Sequence, residues 1–365
     1  MSKTRVAIVY GGRSTEHEIS ILSARNILAS LDKDRFEVSL IGIDKEGKWS
    51  LQDPKLLLEA STDPRTVALQ ANCPPVAMAP RPTGGMLEGV GAPKIDVIFP
   101  ILHGPMGEDG TMQGIFELAE IPYVGSGVLG SSVSMDKDSM KRVLRDAGIP
   151  VGPFQSYRRY HWDKKADTIL TQIEELGFPV YVKPANQGSS VGIKRVAASA
   201  ELREAMDFAF QFDTKVVVES EIIGREIECS VLGNDNPIAS VAGEVIVHAE
   251  HGFYSYEAKY VDANGAGLEV PAKVSDETLA KLKEVAIDTF LALDCSGLSR
   301  VDFFVQDDGN LVVNEINTLP GFTNVSMYPM LWKHSGIEQK ELLTRLVDLA
   351  VERFESKQKL RRSME

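Results

Sequence analysis

The chain has 365 residues, 43% of them hydrophobic and 25% charged, with a formal net charge of -13 at pH 7. That length allows two or three domains of about 100–200 residues each, and the composition is that of an ordinary soluble protein able to bury large cores. The acidic balance argues against binding to a nucleic-acid backbone, since such domains carry a basic face, but it leaves local nucleotide binding open.

The opening MSKTRVAIVY enters a strand at once, with no signal-peptide apolar core. RVAIVY (5–10) reads as a buried strand, GGRS as a turn, and a helix follows from about Glu18 to Leu31. FEVSLIGI (36–43) and KIDVIFPIL (94–102) supply two more strands, so strands alternating with helices predict a parallel sheet covered on both faces. Residues 44–93, rich in Pro and Gly, read as an irregular insertion with one short helix around Pro54–Glu59. MDKDSMKRVLRDAGIP predicts an amphipathic helix with Met140, Val143, Leu144 and Ala147 on one face, stopped by Gly148 and Pro150. YVKPANQGSSVGIKRV gives two strands around a Gly/Ser loop, and a helix over 199–211 follows. KVVVES (215–220) then opens a region dominated by strands: REIECSVLG, PIASVAGEVIV, GLEVPAKV, RVDFFV and LVVNEIN. Helices at about 276–293 and 338–356 interrupt and close it. The expected fold class is α/β, turning α+β in the C-terminal part, with three domains at 1–130, 131–218 and 219–365. Cys73, Cys229 and Cys295 are too scattered for a disulfide framework or a zinc site. No run reaches the roughly 18 apolar residues of a membrane helix, so a cytoplasmic protein without a membrane partner is expected.

Polar residues inside apolar strands carry the chemistry. In RVDFFV, Arg300 and Asp302 share a face, as do Glu315 and Asn317 in LVVNEIN, because alternate residues of a strand point the same way. The intervening QDDGN signals a hairpin, which makes the two strands antiparallel neighbours. Two carboxylates and an amide so grouped suit a magnesium ion that also binds substrate phosphates; the alternative is an Arg–Asp pair on an exposed sheet face. VKPANQGSSVG puts Lys183 before a loop whose N–H groups could cradle phosphates, although a plain hairpin would read the same. Lys137 opens a helix and says little alone. VVVESEIIGREIE, with Glu219, Glu221, Glu226 and Glu228, either lines a purine pocket or forms a solvated face. Glu16 in GGRSTEHEIS either complements a helix dipole or stands at the mouth of the sheet, where open α/β sheets bind ligands. HGPMGEDGTMQG, with His103 and Glu108, is its counterpart after another strand. HGFYSYEAKYVDANG (251–265) reads as a long loop of the lid type.

Taken together, GGRSTEHEIS, HGPMGEDGTMQG, MDK, VKPANQGSSVG, GREIE, YEAKY, RVDFF and NEINTLPGFT resemble, in that order, the motifs of D-alanine–D-alanine ligases, over nearly the whole chain. The resemblance implies a three-domain ATP-grasp fold with an N-terminal parallel-sheet domain, and ATP-dependent joining of two D-alanines through an acyl phosphate for the bacterial cell wall. It implies that Glu16 holds the ammonium of the first D-alanine, linked to Ser189 and Tyr260. Lys137, Lys183 and Lys259 would contact ATP phosphates, with Glu219, Ile222 and Glu226 around adenine and ribose. Asp302, Glu315 and Asn317 would bind two Mg²⁺ ions, with Mn²⁺ able to substitute. Arg300 and the N–H of Gly321 would stabilise the oxyanion, Ser326 would receive the second carboxylate, and His103 and Glu108 would line the cleft. A homodimer is the family expectation. Met327 stands where a leucine is common in the family, and Asn186-Gln187 where charged residues are. Ligation to a hydroxyl acid or another D-amino acid, and a non-catalytic module on the same fold, are the other readings.

Overall fold

A computed structural model of the chain describes residues 3–79, 86–89, 91–247 and 266–364. In the first part, β1 (Thr4–Gly11), α1 (His17–Ser30), β2 (Phe36–Ile43), β3 (Trp49–Gln52), α2 (Pro54–Glu59), β4 (Ala77–Ala79), β5 (Met86–Glu88), β6 (Val97–Leu102), α3 (Thr111–Leu118) and α4 (Val128–Met135) follow one another. Their main sheet runs β3-β2-β1-β6. β1 is parallel to β2 and β6, and β3 adds an antiparallel edge. The segment 44–93 is therefore not only loop and helix: β3 extends the main sheet, and β4 and β5 form a small hairpin. Both faces of β1 are buried, as a near-continuous apolar run predicts for a parallel sheet. Ala7 and Val9 meet Met112 and Phe116 of α3 on one side.

A second segment holds α5 (Lys137–Asp146), β7 (Phe154–Arg158), α6 (Arg159–Glu174), β8 (Val180–Pro184), β9 (Lys194–Val196), α7 (Ser199–Ala209) and β10 (Lys215–Ser220). The antiparallel sheet β7-β10-β8-β9 packs Val180, Val182, Val216 and Val218 against Ile169, Ile173, Leu202 and Met206. KVVVES, expected to open the third region, is β10 and pairs with β7 and β8 in this second sheet.

The third segment has β11 (Arg225–Gly233), β12 (Ile238–Val247), β13 (Ala266–Glu269), α8 (Asp276–Ala292), β14 (Gly297–Val305), β15 (Leu311–Asn317), α9 (Met327–His334) and α10 (Gln339–Gln358). Its sheet, β13-β12-β11-β14-β15, is antiparallel. Two core assignments link the segments. Met140 and Leu144 of α5 are buried with Ile227, Val301 and Phe290 of the third segment. Ala147, expected on the same apolar face, is exposed; the buried residues of α5 are Lys137, Asp138, Met140, Lys141 and Leu144. The other face of β1, with Ile8 and Tyr10, packs with Tyr328, Trp332, Leu342 and Leu346 of α9 and α10. The last helices of the chain thus complete the core of its first sheet.

Candidate active site

The β14–β15 hairpin forms as its turn requires. Gly309 has φ +82°, a conformation glycine adopts without strain, and the Gln306 N–H donates to the Asn310 carbonyl at 2.9 Å. The register pairs Arg300 with Asn317 and Asp302 with Glu315, so all four share one face. The ladder then skips Asn314, since Phe303 pairs with Val313; such bulges re-aim neighbouring side chains. The Arg300 guanidinium donates to both Asp302 oxygens at 2.7 Å and lies 2.9 Å from Glu228 Oε2 on β11. Burial would lower its pKa, but Asp302 and Glu228 outweigh burial and hold it well above the usual value. Arg300 is a permanent cation here.

The residues expected to hold a metal can be tested by their donors. Asn317 Oδ1 is buried and makes no hydrogen bond among the described residues, which leaves an acceptor free for a cation. Asp302 and Glu315 supply carboxylate oxygens beside it. Among the described residues no group of three or more His, Cys, Asp or Glu is placed around a metal position. Two carboxylates plus an amide is the set a magnesium ion uses when phosphates and water complete its shell. The residues fit.

Lys137, the first residue of α5, reaches from the hairpin to the Gly/Ser loop. Its ammonium donates to the Gln187 carbonyl at 2.8 Å and lies 3.3 Å from Glu315 Oε2. Lys183 on β8 donates to Glu219 Oε2 at 2.9 Å. Burial would lower the Lys183 ammonium, but Glu219 outweighs it and holds it above its usual value. Burial likewise pushes the Glu219 carboxyl up, and Lys141 and Lys183 overcome that and hold it below the usual carboxylate range. Glu219, Ile222 and Glu226 line a cavity of about 350 Å³ together with Lys137, Lys183, Asp302 and Glu315, a size that takes a cofactor.

A second, smaller cavity adjoins it, lined by Glu16, His103, Glu108, Ser189, Arg300, Asn317, Gly321 and Ser326. Lys137, Gly188, Ser189 and Glu315 face both. Glu16 occupies the N-cap position of α1 but makes no capping hydrogen bond. Its carboxylate instead accepts from the Ser189 hydroxyl. A Cβ on Gly188 would lie 3.0 Å from Glu16 Oε2, so a side chain at position 188 would press on that carboxylate. Likewise, a Cβ on Gly321 would lie 2.9 Å from Ser326 Oγ. Lys259, Tyr260 and the lid-like loop lie outside the described residues.

His103 and Glu108 line the buried side of this cavity. His103 Nδ1 lies 3.1 Å from the Leu319 carbonyl and Nε2 lies 3.5 Å from Ser23 Oγ; burial lowers its pKa, so the imidazole is neutral near pH 7. Ser23 accepts from the Phe322 N–H at 3.2 Å, and the Asn26 amide donates to the Phe322 carbonyl at 2.5 Å. Helix α1 therefore anchors the loop that carries Gly321. Ser23 and Asn26 were missed from sequence, where two small polar residues on a helix read as surface. The Glu108 carboxyl, which accepts from the Gly104 N–H at 2.5 Å, is pushed up to about 8 by burial and by the charge of Glu16. The unfolded chain ionises near pH ~4.3, so between that pH and about 8 only the unfolded state loses this proton. Stability through Glu108 therefore falls as pH rises across that window and is flat above it. Glu108→Gln is expected to gain stability over the parent from pH 5 to 8, by up to about 1.4 kcal/mol per pH unit. Denaturant unfolding at pH 5, 6.5 and 8 checks this, and a difference independent of pH would count against it.

Comparison with known proteins agrees with this geometry. Residues 5–126 match the family model described as D-ala D-ala ligase N-terminus, and residues 143–348 the one described as D-ala D-ala ligase C-terminus. The D-alanine--D-alanine ligase A of Chromobacterium violaceum is 50% identical over 368 residues, covering 100% of this chain and 99% of the relative. The solved D-alanine-D-alanine ligase from Coxiella burnetii superposes with a TM-score of 0.85 at 36% identity, covering 98% of this chain and 97% of that one. The VanG D-Ala:D-Ser ligase from Enterococcus faecalis gives 0.84 at 35% identity, covering 96% and 100%. Two family models account for most of the sequence, and a relative half identical runs its full length. This chain is a member of the D-alanine–D-alanine ligase family of ATP-grasp enzymes.

Proposed function

We propose that the protein joins two D-alanines to D-alanyl-D-alanine for peptidoglycan, converting ATP to ADP and phosphate. The observation that supports this most is the wall common to the two cavities, built from Lys137, Ser189 and Glu315. A nucleotide in the larger cavity would turn its phosphates toward a small carboxylate substrate in the other. The first D-alanine carboxylate attacks the γ-phosphorus, an O–P bond forms, and ADP leaves. The amine of the second D-alanine then attacks the acyl carbon, loses a proton, and phosphate departs.

Each assigned residue has a physical reason. Glu16, oriented by Ser189, pairs with the ammonium of the first D-alanine, and Tyr260 joins that set. Lys137, Lys183 and Lys259 offset phosphate charge, which is most of what phosphoryl transfer needs from a protein. Ile222 packs on adenine, Glu219 accepts from its amino group, and Glu226 takes the ribose hydroxyls. Arg300 and the Gly321 N–H are donors for the tetrahedral oxyanion, Ser326 binds the second carboxylate, and His103 and Glu108 support the loop and cleft around it. Asp302, Glu315 and Asn317 would hold divalent cations, which neutralise phosphate charge when bound. The finer assignments are two Mg²⁺ ions with Mn²⁺ as a substitute, three domains breaking near 130 and just after β10 rather than at 218, a homodimer and a cytoplasmic location. No described helix is long and apolar enough to cross a membrane.

The direct test is a stoichiometry measurement with ATP, Mg²⁺ and D-alanine. Equal amounts of ADP, phosphate and dipeptide are expected. Phosphate release that needs D-lactate or D-serine as second substrate would redirect the assignment, and no release with any of them would sink it.

A further inference from the structure

Lys141 lies one turn beyond Lys137 on α5, and its side chain is only 2% exposed. None of the chemistry above uses it. The ammonium donates to the Asn314 carbonyl at 3.3 Å and stands 3.5 Å from Glu219 Oε1. That oxygen is buried and makes no hydrogen bond among the described residues. The other oxygen, Oε2, is held by Lys183 at 2.9 Å. One buried carboxylate thus faces two buried ammoniums, where a single partner would neutralise it. Both lysines act against burial to keep Glu219 ionised, Lys141 through its charge and Lys183 through its charge and hydrogen bond.

The two lysines differ in what they can do next. Lys141 is fixed from behind by the carbonyl of Asn314, the residue skipped in the β14–β15 ladder. Lys183 sits at the end of β8, just before the Gly/Ser loop; Lys141, Lys183 and Glu219 all line the larger cavity, and Lys183 is the more exposed of the two lysines, 12% against 2%. A phosphate entering that cavity competes with Glu219 for the Lys183 ammonium. Were Lys183 the only counter-ion, drawing it away would leave a buried carboxylate uncompensated, which is strongly unfavourable. We infer that Lys141 is a positioning residue, a standing counter-ion for Glu219 that lets Lys183 move from this carboxylate to the phosphates of the nucleotide. This rests on the reading that the larger cavity takes ATP.

The test compares Lys141→Met, Lys141→Arg, Glu219→Gln and the double variant Lys141→Met/Glu219→Gln, measuring MgATP and adenosine affinity by calorimetry and steady-state constants for both substrates. Lys141→Met is expected to raise the KM for ATP by ~10-fold or more. It should leave the KM for D-alanine and kcat at saturating ATP within about threefold, and spare adenosine affinity. Lys141→Arg, which keeps the charge, should recover most of the loss. With Glu219 neutralised there is no carboxylate to trap Lys183, so the double variant should bind MgATP as well as Glu219→Gln alone. That comparison also serves if Lys141→Met by itself does not fold. Unchanged ATP constants in Lys141→Met, equal losses for MgATP and adenosine, or the same loss with and without the Glu219 charge would each overturn the inference. A parent enzyme that fails to bind MgATP would instead overturn the nucleotide assignment.

Discussion

Glu315→Gln lowers turnover by ~10²-fold or more while the protein still folds. Glu315 is one of two carboxylates in the set suited to a divalent cation, and the chemistry consists largely of positioning and neutralising phosphate charge. Glutamine keeps the size and one acceptor oxygen but removes the charge, so the cation is held more weakly and shields less. The fold is spared for local reasons. The side chain is 33% exposed, and its neighbour Lys137 keeps the Gln187 carbonyl as a partner. A partly exposed charge whose cationic neighbour keeps another partner contributes little to stability, roughly 0–1 kcal/mol. Phosphate release across a Mg²⁺ titration, set beside a thermal melt, separates the two effects. Near-parental turnover at ordinary Mg²⁺ would refute the metal role.

Arg300→Met should fail in the opposite way, through the fold as well as the chemistry. The Arg300, Asp302 and Glu228 side chains are 14%, 13% and 7% exposed. Removing the guanidinium strips two mostly buried carboxylates of their shared cation, and such losses cost about 3–5 kcal/mol. Arg300→Lys keeps a charge but cannot reach both Asp302 oxygens in the forked geometry. It should retain most of the stability and still lose ~10²–10³ in kcat, the usual effect of removing one oxyanion donor. Parallel unfolding and kinetic measurements on both variants decide the matter. A stable, active Arg300→Met enzyme would show that the triad is dispensable.

Much of this site could be read from sequence because its residues interrupt apolar strands or sit in glycine-rich turns. Glu315 and Asn317 within LVVNEIN, and Glu16 after GGRS, stand out against what a core strand or a turn needs. The structure brings Glu16, Ser189, Arg300, Gly321 and Ser326 around one cavity and Lys183, Glu219, Ile222 and Glu226 around its neighbour. Lys141 was not legible for a definite reason. Periodicity treats lysine as an outward residue, yet the inner stripe of α5 alternates lysine with Met140 and Leu144. Only the neighbouring carboxylate, distant in sequence, explains why a charge is buried there. The same limit applies to KVVVES, since an apolar strand does not encode which sheet it joins, and to β3, whose pairing depends on the edge offered by β2.

The shared core of the first sheet and the last helices also sets an order of events during synthesis. Ile8 and Tyr10 emerge early, but their partners Tyr328, Trp332, Leu342 and Leu346 are made last. At ~5–20 residues per second, the interval between them is on the order of tens of seconds. Throughout that time this face of the N-terminal sheet is covered by α1 but lacks the rest of its cover, the condition under which nascent chains stick to one another. A chain shortened before α9 never acquires that cover. Premature termination near the C-terminus should therefore produce insoluble protein, even though every residue assigned to the chemistry has already been translated.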